Sequence, residues 1–281
     1  MEITLEKLRR GTQEYLDALE GKGLSRSTFN VYARNLSYMN SYFEHEAGRR
    51  GITPGDVADF RDHVKAKYKN ATAINIIGIT NRLFRFMHEE RFCIKNIRKK
   101  QPDHLPDVLT RSEYKKLLAV AAREDSKLYY IIRTIAGTGI NYSDLEFITV
   151  EAVKNGYAKA QRSGKTWDIV ISRNLQEVLS QYCQENGIKS GIIFYGRGMN
   201  RIIDRAYICR QLKVLGGMVK IDESKLTMRA LRLFFSYMYL QSENNIFELN
   251  ELLGNKMYAA RQILPSRSIH EKSRTLTKLG L

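Results

Sequence analysis

The chain has 281 residues, of which 43% are hydrophobic, and 46 Lys and Arg residues against 30 Asp and Glu residues give a formal net charge of +16. This length favours two domains, and the hydrophobic fraction excludes a disordered chain. The positive charge is spread over both halves, with +5 in residues 1–98 and +11 in residues 99–281. Such an excess favours nucleic acid as the partner over a basic surface that binds nothing.

Several other classes of protein are disfavoured by the same sequence. No apolar run reaches the length of a membrane span, and the N-terminus carries no apolar signal core. The three cysteines are isolated, and none of the five histidines pairs with another at helical spacing. We therefore expect a cytoplasmic protein with no metal site, no other cofactor and no disulfide framework.

Apolar residues at helical spacing predict about four helices in the first hundred residues. The first carries Leu5, Leu8 and Leu16 and stops at Gly21, and a second follows a cap at Ser25 or Ser27. The third begins at Thr53 with Pro54, and the fourth spans about residues 71–92. This part is expected to be an N-terminal helical domain, residues 1–95. Because the charge favours a nucleic-acid partner, Arg34, Arg82 and Arg85 are candidate DNA contacts, and a solvated charged face is the commoner role for any single one of them.

A basic segment that contains proline interrupts the helical pattern. Residues 96–108 hold two of the four prolines, and proline extends a linker because it disfavours helix on its N-terminal side. We place the domain boundary here. Lys99 and Lys100 are candidates to follow a DNA backbone, and a plain solvated connector is the equal alternative.

The remaining residues, 109–281, predict a mostly helical domain with one β-hairpin. Thr110 and Glu113 form a capping box for a helix to about Ala122, and a second helix spans about 128–135. Residues 156–172 predict two strands about a Ser-Gly turn. Further helices are predicted at the following ranges: 174–186, 200–215, 227–242, 245–253 and 256–264.

Four segments in this second part carry the most specific signal. They are GTGINYSDL from Gly137, RSGKTWDIVIS from Arg162, MRALRLFFSYMYLQS from Met228 and LNELLGN from Leu249. In this order, after a helical domain and a linker, they resemble the signature turn, the β-hairpin, the HxxR helix and the LGH segment of the tyrosine recombinase (phage integrase) family, of the Xer type. The resemblance covers nearly the whole chain and implies a mainly α, two-domain DNA clamp with a SAM-like four-helix domain.

The family's chemistry, as the resemblance implies it, needs six residues around one phosphate. A tyrosine attacks the phosphodiester, two arginines hold its oxygens, a hairpin lysine protonates the leaving hydroxyl, and two histidines assist proton transfer. In this sequence only the HxxR arginine is kept, as Arg232. The other five positions are substituted. They fall on Asn141 (first arginine), Arg162 (lysine, with Lys165 as a stand-in), Arg229 and Asn255 (histidines) and Leu264 (nucleophile).

These substitutions favour a family member that binds DNA, is encoded on a mobile element and has lost most of its catalysis. One alternative is a divergent active strand-transferase, a recombinase or relaxase-like enzyme with Tyr258 as nucleophile. Arg133 is an alternative source of the missing charge at Asn141. An unrelated helical module whose motif matches are accidental is a third reading. The resemblance also implies self-association on double-stranded DNA through the tail beyond Ser266.

Overall fold

The computed structural model describes residues 2–46, 51–95, 108–162, 165–196, 201–243 and 245–254. The chain divides into two compact units, Met1–Asp103 and His104–Leu281. Within the described ranges, no helix has both the length and the apolar character needed to cross a bilayer. Residues 96–107 of the predicted linker, which include Lys99 and Lys100, lie outside the described residues.

The first unit is built from four helices. They are α1 (Leu5–Glu20), α2 (Arg26–Glu46), α3 (Pro54–Lys67) and α4 (Asn70–Phe86). Side-chain caps set several of their starts: Thr4 accepts from the Lys7 amide, and Thr53 forms a reciprocal capping box with Asp56. The predicted cap at Ser25 is also present, since its Oγ accepts from the Thr28 amide at 3.3 Å. The apolar faces of the helices share one core, which includes Phe43, Phe60 and Phe84.

The fourth helix is shorter than its apolar pattern predicts. It ends at Phe86, and a separate 3-10 turn covers Glu90–Phe92. His88 stands between them with φ +55°, a left-handed conformation that an α-helix cannot include. The prediction of one helix over 71–92 is therefore wrong at its C-terminal end.

The second unit is mostly helical. Its helices are α5 (Arg111–Glu124), α6 (Ser126–Thr138), α7 (Val150–Asn155), α8 (Arg173–Glu185), α9 (Arg205–Met218), α10 (Met228–Ser242) and α11 (Ile246–Leu252). The predicted capping box of α5 is present: the Glu113 amide donates to Thr110 Oγ1, and the Thr110 amide donates to Glu113 Oε2. Helix α9 begins later than predicted because Asp204 caps it, accepting from the Ala206 amide at 2.9 Å. The predicted helix 256–264 lies outside the described residues.

The hairpin predicted between α7 and α8 is confirmed as a two-stranded antiparallel sheet. Strands β1 (Tyr157–Arg162) and β2 (Lys165–Val170) pair with Ala160 opposite Trp167. Ala158, Ala160 and Ile169 face the core, as the alternation of a half-buried strand requires. The mostly α architecture with one small sheet is thus the fold that the sequence predicts.

Candidate functional site

Arg232, which the resemblance predicts to be the HxxR arginine, is buried in the structure. It lies in α10, a helix that begins at the Thr227 cap, and only 6% of its surface is exposed. Nη2 of its guanidinium donates to the Leu253 carbonyl at 3.1 Å. Its buried Nε has no hydrogen-bond partner among the described residues.

A buried guanidinium with an unsatisfied donor is energetically unfavourable. Burial lowers the pKa of Arg232, and the nearby Asp144 carboxylate opposes that change, but an arginine remains protonated in proteins. Leaving a buried donor unpaired costs about 1–3 kcal/mol, and more for a charged group. Native structures rarely keep such an atom without a ligand, water or ion to pair with it. An anion that reached this donor would form a charge-assisted hydrogen bond with it.

The signature turn supplies the acidic side of this site. Asp144 is buried, and its Oδ2 accepts from the Asn141 backbone amide at 3.0 Å and from Asn141 Nδ2 at 3.3 Å. Asn141 is the residue that the sequence resemblance aligns with the first catalytic arginine. Because the side chain is a neutral amide and one of its donors points to Asp144, it adds no charge for an anionic ligand.

The hairpin and the end of α11 meet beside Arg232. Gly254 has φ +65°, and a Cβ built there would lie 3.0 Å from the indole of Trp167 on β2. Phe147 also packs against Trp167, with an edge-on arrangement of the two rings and 6.4 Å between their centres. Neither Trp167 nor the Leu253 carbonyl is among the predicted site residues. Trp167 could have been noticed as the one tryptophan of the sequence, because it lies in the hairpin motif. The Leu253 carbonyl belongs to the backbone, so no side-chain pattern indicates it.

The other predicted site residues lie in different places. Arg229 is exposed in the first turn of α10, on the same helix as Arg232. Arg162 and Lys165 are cross-strand partners at the turn end of the hairpin. The remaining predicted positions, Asn255, Tyr258 and Leu264, lie outside the described residues.

Arg133 does not supply the missing charge at Asn141. Its guanidinium donates to the Tyr129 hydroxyl at 2.9 Å and to Asn174 Oδ1 at 2.7 Å. It also lies 5.7 Å from the Tyr129 ring centre, so its cation is held against α6 and α8.

In the first unit, Arg34, Arg82 and Arg85 are all exposed, as a binding role requires. Arg82 is held in place: its Nη1 donates to the Tyr32 hydroxyl at 2.5 Å, and its guanidinium lies 5.7 Å from that ring centre. Beside it Phe86 is 39% exposed. This face of α4 therefore presents cations next to an aromatic ring.

No family model matches the sequence, and the described residues contain no group of three His, Cys, Asp or Glu side chains that could hold a metal ion. Two curated proteins are similar over most of their length. "Tyrosine recombinase XerA" of Pyrococcus furiosus is 27% identical over 260 residues, which is 89% of this chain and 87% of that protein. The protein of the same name from Pyrococcus horikoshii is 26% identical over 262 residues, with the same coverage.

Solved structures share the fold at low sequence identity. An integrase of the transposon Tn1549, in complex with circular intermediate DNA, has a TM-score of 0.74 at 13% identity and covers 96% of this chain and 99% of that one. A lambda integrase tetramer bound to a Holliday junction has a TM-score of 0.72 at 17% identity and covers 95% and 79%. The fold is thus the integrase-type fold. Over most of its length the sequence is also similar to curated tyrosine recombinases.

Proposed function

We propose that this protein binds double-stranded DNA with the phosphate-binding surface of a tyrosine recombinase and that its own strand-transfer chemistry is impaired. The observation that carries the proposal is Arg232, whose buried Nε lacks a partner among the described residues. A phosphodiester oxygen would pair with that donor, and charge-assisted bonds of this kind are strong.

DNA is the best source of that phosphate. The net charge of +16 favours a polyanion, and the solved structures with the same fold are described as integrases bound to DNA. In the first unit, Arg34, Arg82 and Arg85 would add contacts to the phosphate backbone. Lys99 and Lys100, in a linker that we place at residues 96–108, would follow the same backbone.

The proposed loss of chemistry rests on the substituted positions. Asn141 cannot replace an arginine at the phosphate, and its side-chain amide donates to Asp144. Losing such a charge-stabilising donor costs about 10²–10³ in rate, and losing an acid-base group costs about 10²–10⁴. Leu264 has no nucleophilic atom. We infer an accessory or architectural role in recombination on a mobile element in the cytoplasm, with self-association through the tail beyond Ser266.

A second candidate is an active but divergent strand-transferase. The similarity covers 87% of the length of two curated proteins that are named recombinases. In addition, Arg232 matches the arginine of the HxxR motif. In that case Tyr258 would attack the phosphodiester, Arg162 or Lys165 would supply charge at the hairpin, and Arg229 would assist Arg232.

The first test measures binding of a random-sequence duplex of about 30 base pairs over a salt series, for the wild type, Arg232→Gln and the control Arg123→Gln, which removes an exposed cation on α5. With about six to eight phosphates contacted, log K against log salt should have a slope of about −5 to −7. We expect Arg232→Gln to weaken binding by at least about tenfold, because it removes a charged hydrogen bond. A flat salt response in the wild type would refute the DNA-binding proposal.

The second test separates the two candidate functions. The wild type and Tyr258→Phe are incubated with nicked suicide duplexes that carry sites selected from a random library by binding. Denaturing gels then reveal any covalent protein–DNA adduct. No adduct alongside salt-sensitive binding supports the impaired binder. An adduct that disappears in Tyr258→Phe identifies the divergent enzyme instead.

A further inference from the structure

A basic pocket lies in the second unit, at the N-terminal ends of α6 and α9. It has a volume of about 820 Å³. Three cationic side chains line it: Lys127 at the start of α6, Arg201 in the loop before α9, and Arg210 on α9. We call it the Lys127 pocket. None of the family motifs identified in the sequence contains these three residues.

The wall of the pocket is fixed by backbone pairing. Tyr195 and Ile202 form an antiparallel bridge, and the Gly196 amide donates to the Arg201 carbonyl at 2.8 Å. Lys127 Nζ donates to the Tyr195 carbonyl at 3.3 Å and lies 5.1 Å from the centre of that ring. The lysine is therefore directed to the pocket edge by groups that carry no formal charge.

The two nearby carboxylates, Asp125 and Asp204, accept hydrogen bonds from groups other than the three cations. Asp125 caps α6 through the Leu128 amide and accepts from the Tyr207 hydroxyl at 2.6 Å, which raises the pKa of Tyr207 to about 12. Asp204 caps α9. Among the described residues, neither Arg201 nor Arg210 forms an ion pair. The lining thus holds three cations against one carboxylate, Asp204, and Tyr207 stays neutral at physiological pH.

The pocket is joined to the signature turn. The Tyr142 hydroxyl donates to the Ile203 carbonyl at 2.9 Å, and Tyr142 directly follows Asn141. Arg232 and the Lys127 pocket both lie in the second unit, so DNA bound to that unit is a source of phosphate for both. The volume exceeds the need of a single phosphate and leaves room for the sugar and base attached to it.

We propose that the Lys127 pocket binds the phosphate of a nucleotide unit, with Lys127, Arg201 and Arg210 as the binding cations and the Tyr195 and Tyr207 rings beside the attached sugar. The source that we favour is a backbone phosphate of bound DNA, and in that form the inference rests on the proposed function. A free nucleotide presents the same chemistry, and the experiment distinguishes the two.

The experiment compares the double variant Lys127→Gln/Arg210→Gln with the control Lys116→Gln/Arg123→Gln. The control removes the same charge from exposed positions on α5. Duplex binding is measured over a salt series, and binding of adenosine 5′-monophosphate and of inorganic phosphate is measured by calorimetry. Fluorescence of Trp167 verifies that each variant is folded.

If the pocket holds a DNA phosphate, the pocket variant should reduce the salt slope by about one, because one phosphate contact is lost, and the control should change it much less. If the slopes are equal but the wild type binds the mononucleotide and the pocket variant does not, the phosphate comes from a free nucleotide. Equal slopes with no nucleotide or phosphate binding would overturn the proposal while leaving DNA binding through Arg232 intact. If the wild type binds no duplex, the proposed function is refuted. Calorimetry with adenosine 5′-monophosphate and inorganic phosphate then still shows whether the pocket binds a phosphate.

Discussion

Replacing Gly139 by alanine tests how the signature turn is packed against the candidate site. Gly139 ends α6 with φ +68°, a left-handed conformation that costs a residue with a Cβ about 1–2 kcal/mol. A Cβ at this position would also lie 2.4 Å from Cδ1 of Phe235 and 2.8 Å from Cδ2 of Leu253. Both side chains belong to the small cluster between α10 and α11, so each would have to shift to admit a methyl group.

The expected loss of stability follows from adding these two effects. Forcing a methyl group into a packed cluster costs about 1–3 kcal/mol, so Gly139→Ala should lower the free energy of unfolding by about 2–5 kcal/mol. Gly187→Ala is the matched control. It has nearly the same backbone conformation, φ +64°, and no atom lies within 4 Å of an added Cβ. Gly187→Ala should lower the free energy of unfolding only by the cost of the left-handed backbone, about 1–2 kcal/mol.

The single tryptophan provides the assay. Trp167 lies in the second unit, so its fluorescence during urea unfolding follows that unit alone. We expect Gly139→Ala to unfold at a lower urea concentration than Gly187→Ala. Because Leu253 accepts the Arg232 hydrogen bond, Gly139→Ala should also weaken duplex binding. Equal losses of stability in the two variants would refute the packing argument.

Two further predictions concern stability. Gly216→Ala on α9 should destabilise the second unit by about 1–3 kcal/mol, since its Cβ would lie 2.2 Å from Leu226, whereas Gly217→Ala, with open space around it, should stabilise that unit by about 0.5–1 kcal/mol. The same urea assay decides, and the opposite order would contradict the structure. In the first unit, the hydrogen bond from Lys7 lowers the pKa of Glu89 despite its burial. A depressed carboxylate pKa means that its stabilisation is complete above about pH 4.5 and is lost as pH falls through the folded value. Glu89→Gln should therefore flatten the fall in melting temperature between about pH 5 and pH 3, as followed by circular dichroism, and an unchanged profile would exclude this pair as a source of acid sensitivity.

The sequence by itself determined the features that depend on neighbours along the chain. The capping boxes at Thr53 and Thr110 form within three residues, and the hairpin follows from strand alternation around a short turn. The order of four short motifs was enough to indicate the family. Local information also had limits. The apolar pattern continues past Phe86, where α4 ends, and the left-handed conformation of His88 is not visible in that pattern.

Only the tertiary structure decided what surrounds the retained arginine. The bond from Arg232 to the Leu253 carbonyl joins residues 21 apart, and the bond from Tyr142 to the Ile203 carbonyl joins residues 61 apart. Backbone carbonyls have no side-chain identity, so no motif marks them, and the Lys127 pocket likewise unites cations from separate elements. Periodicity and caps are short-range properties of the chain, whereas a buried donor without a partner is created only when several elements pack together.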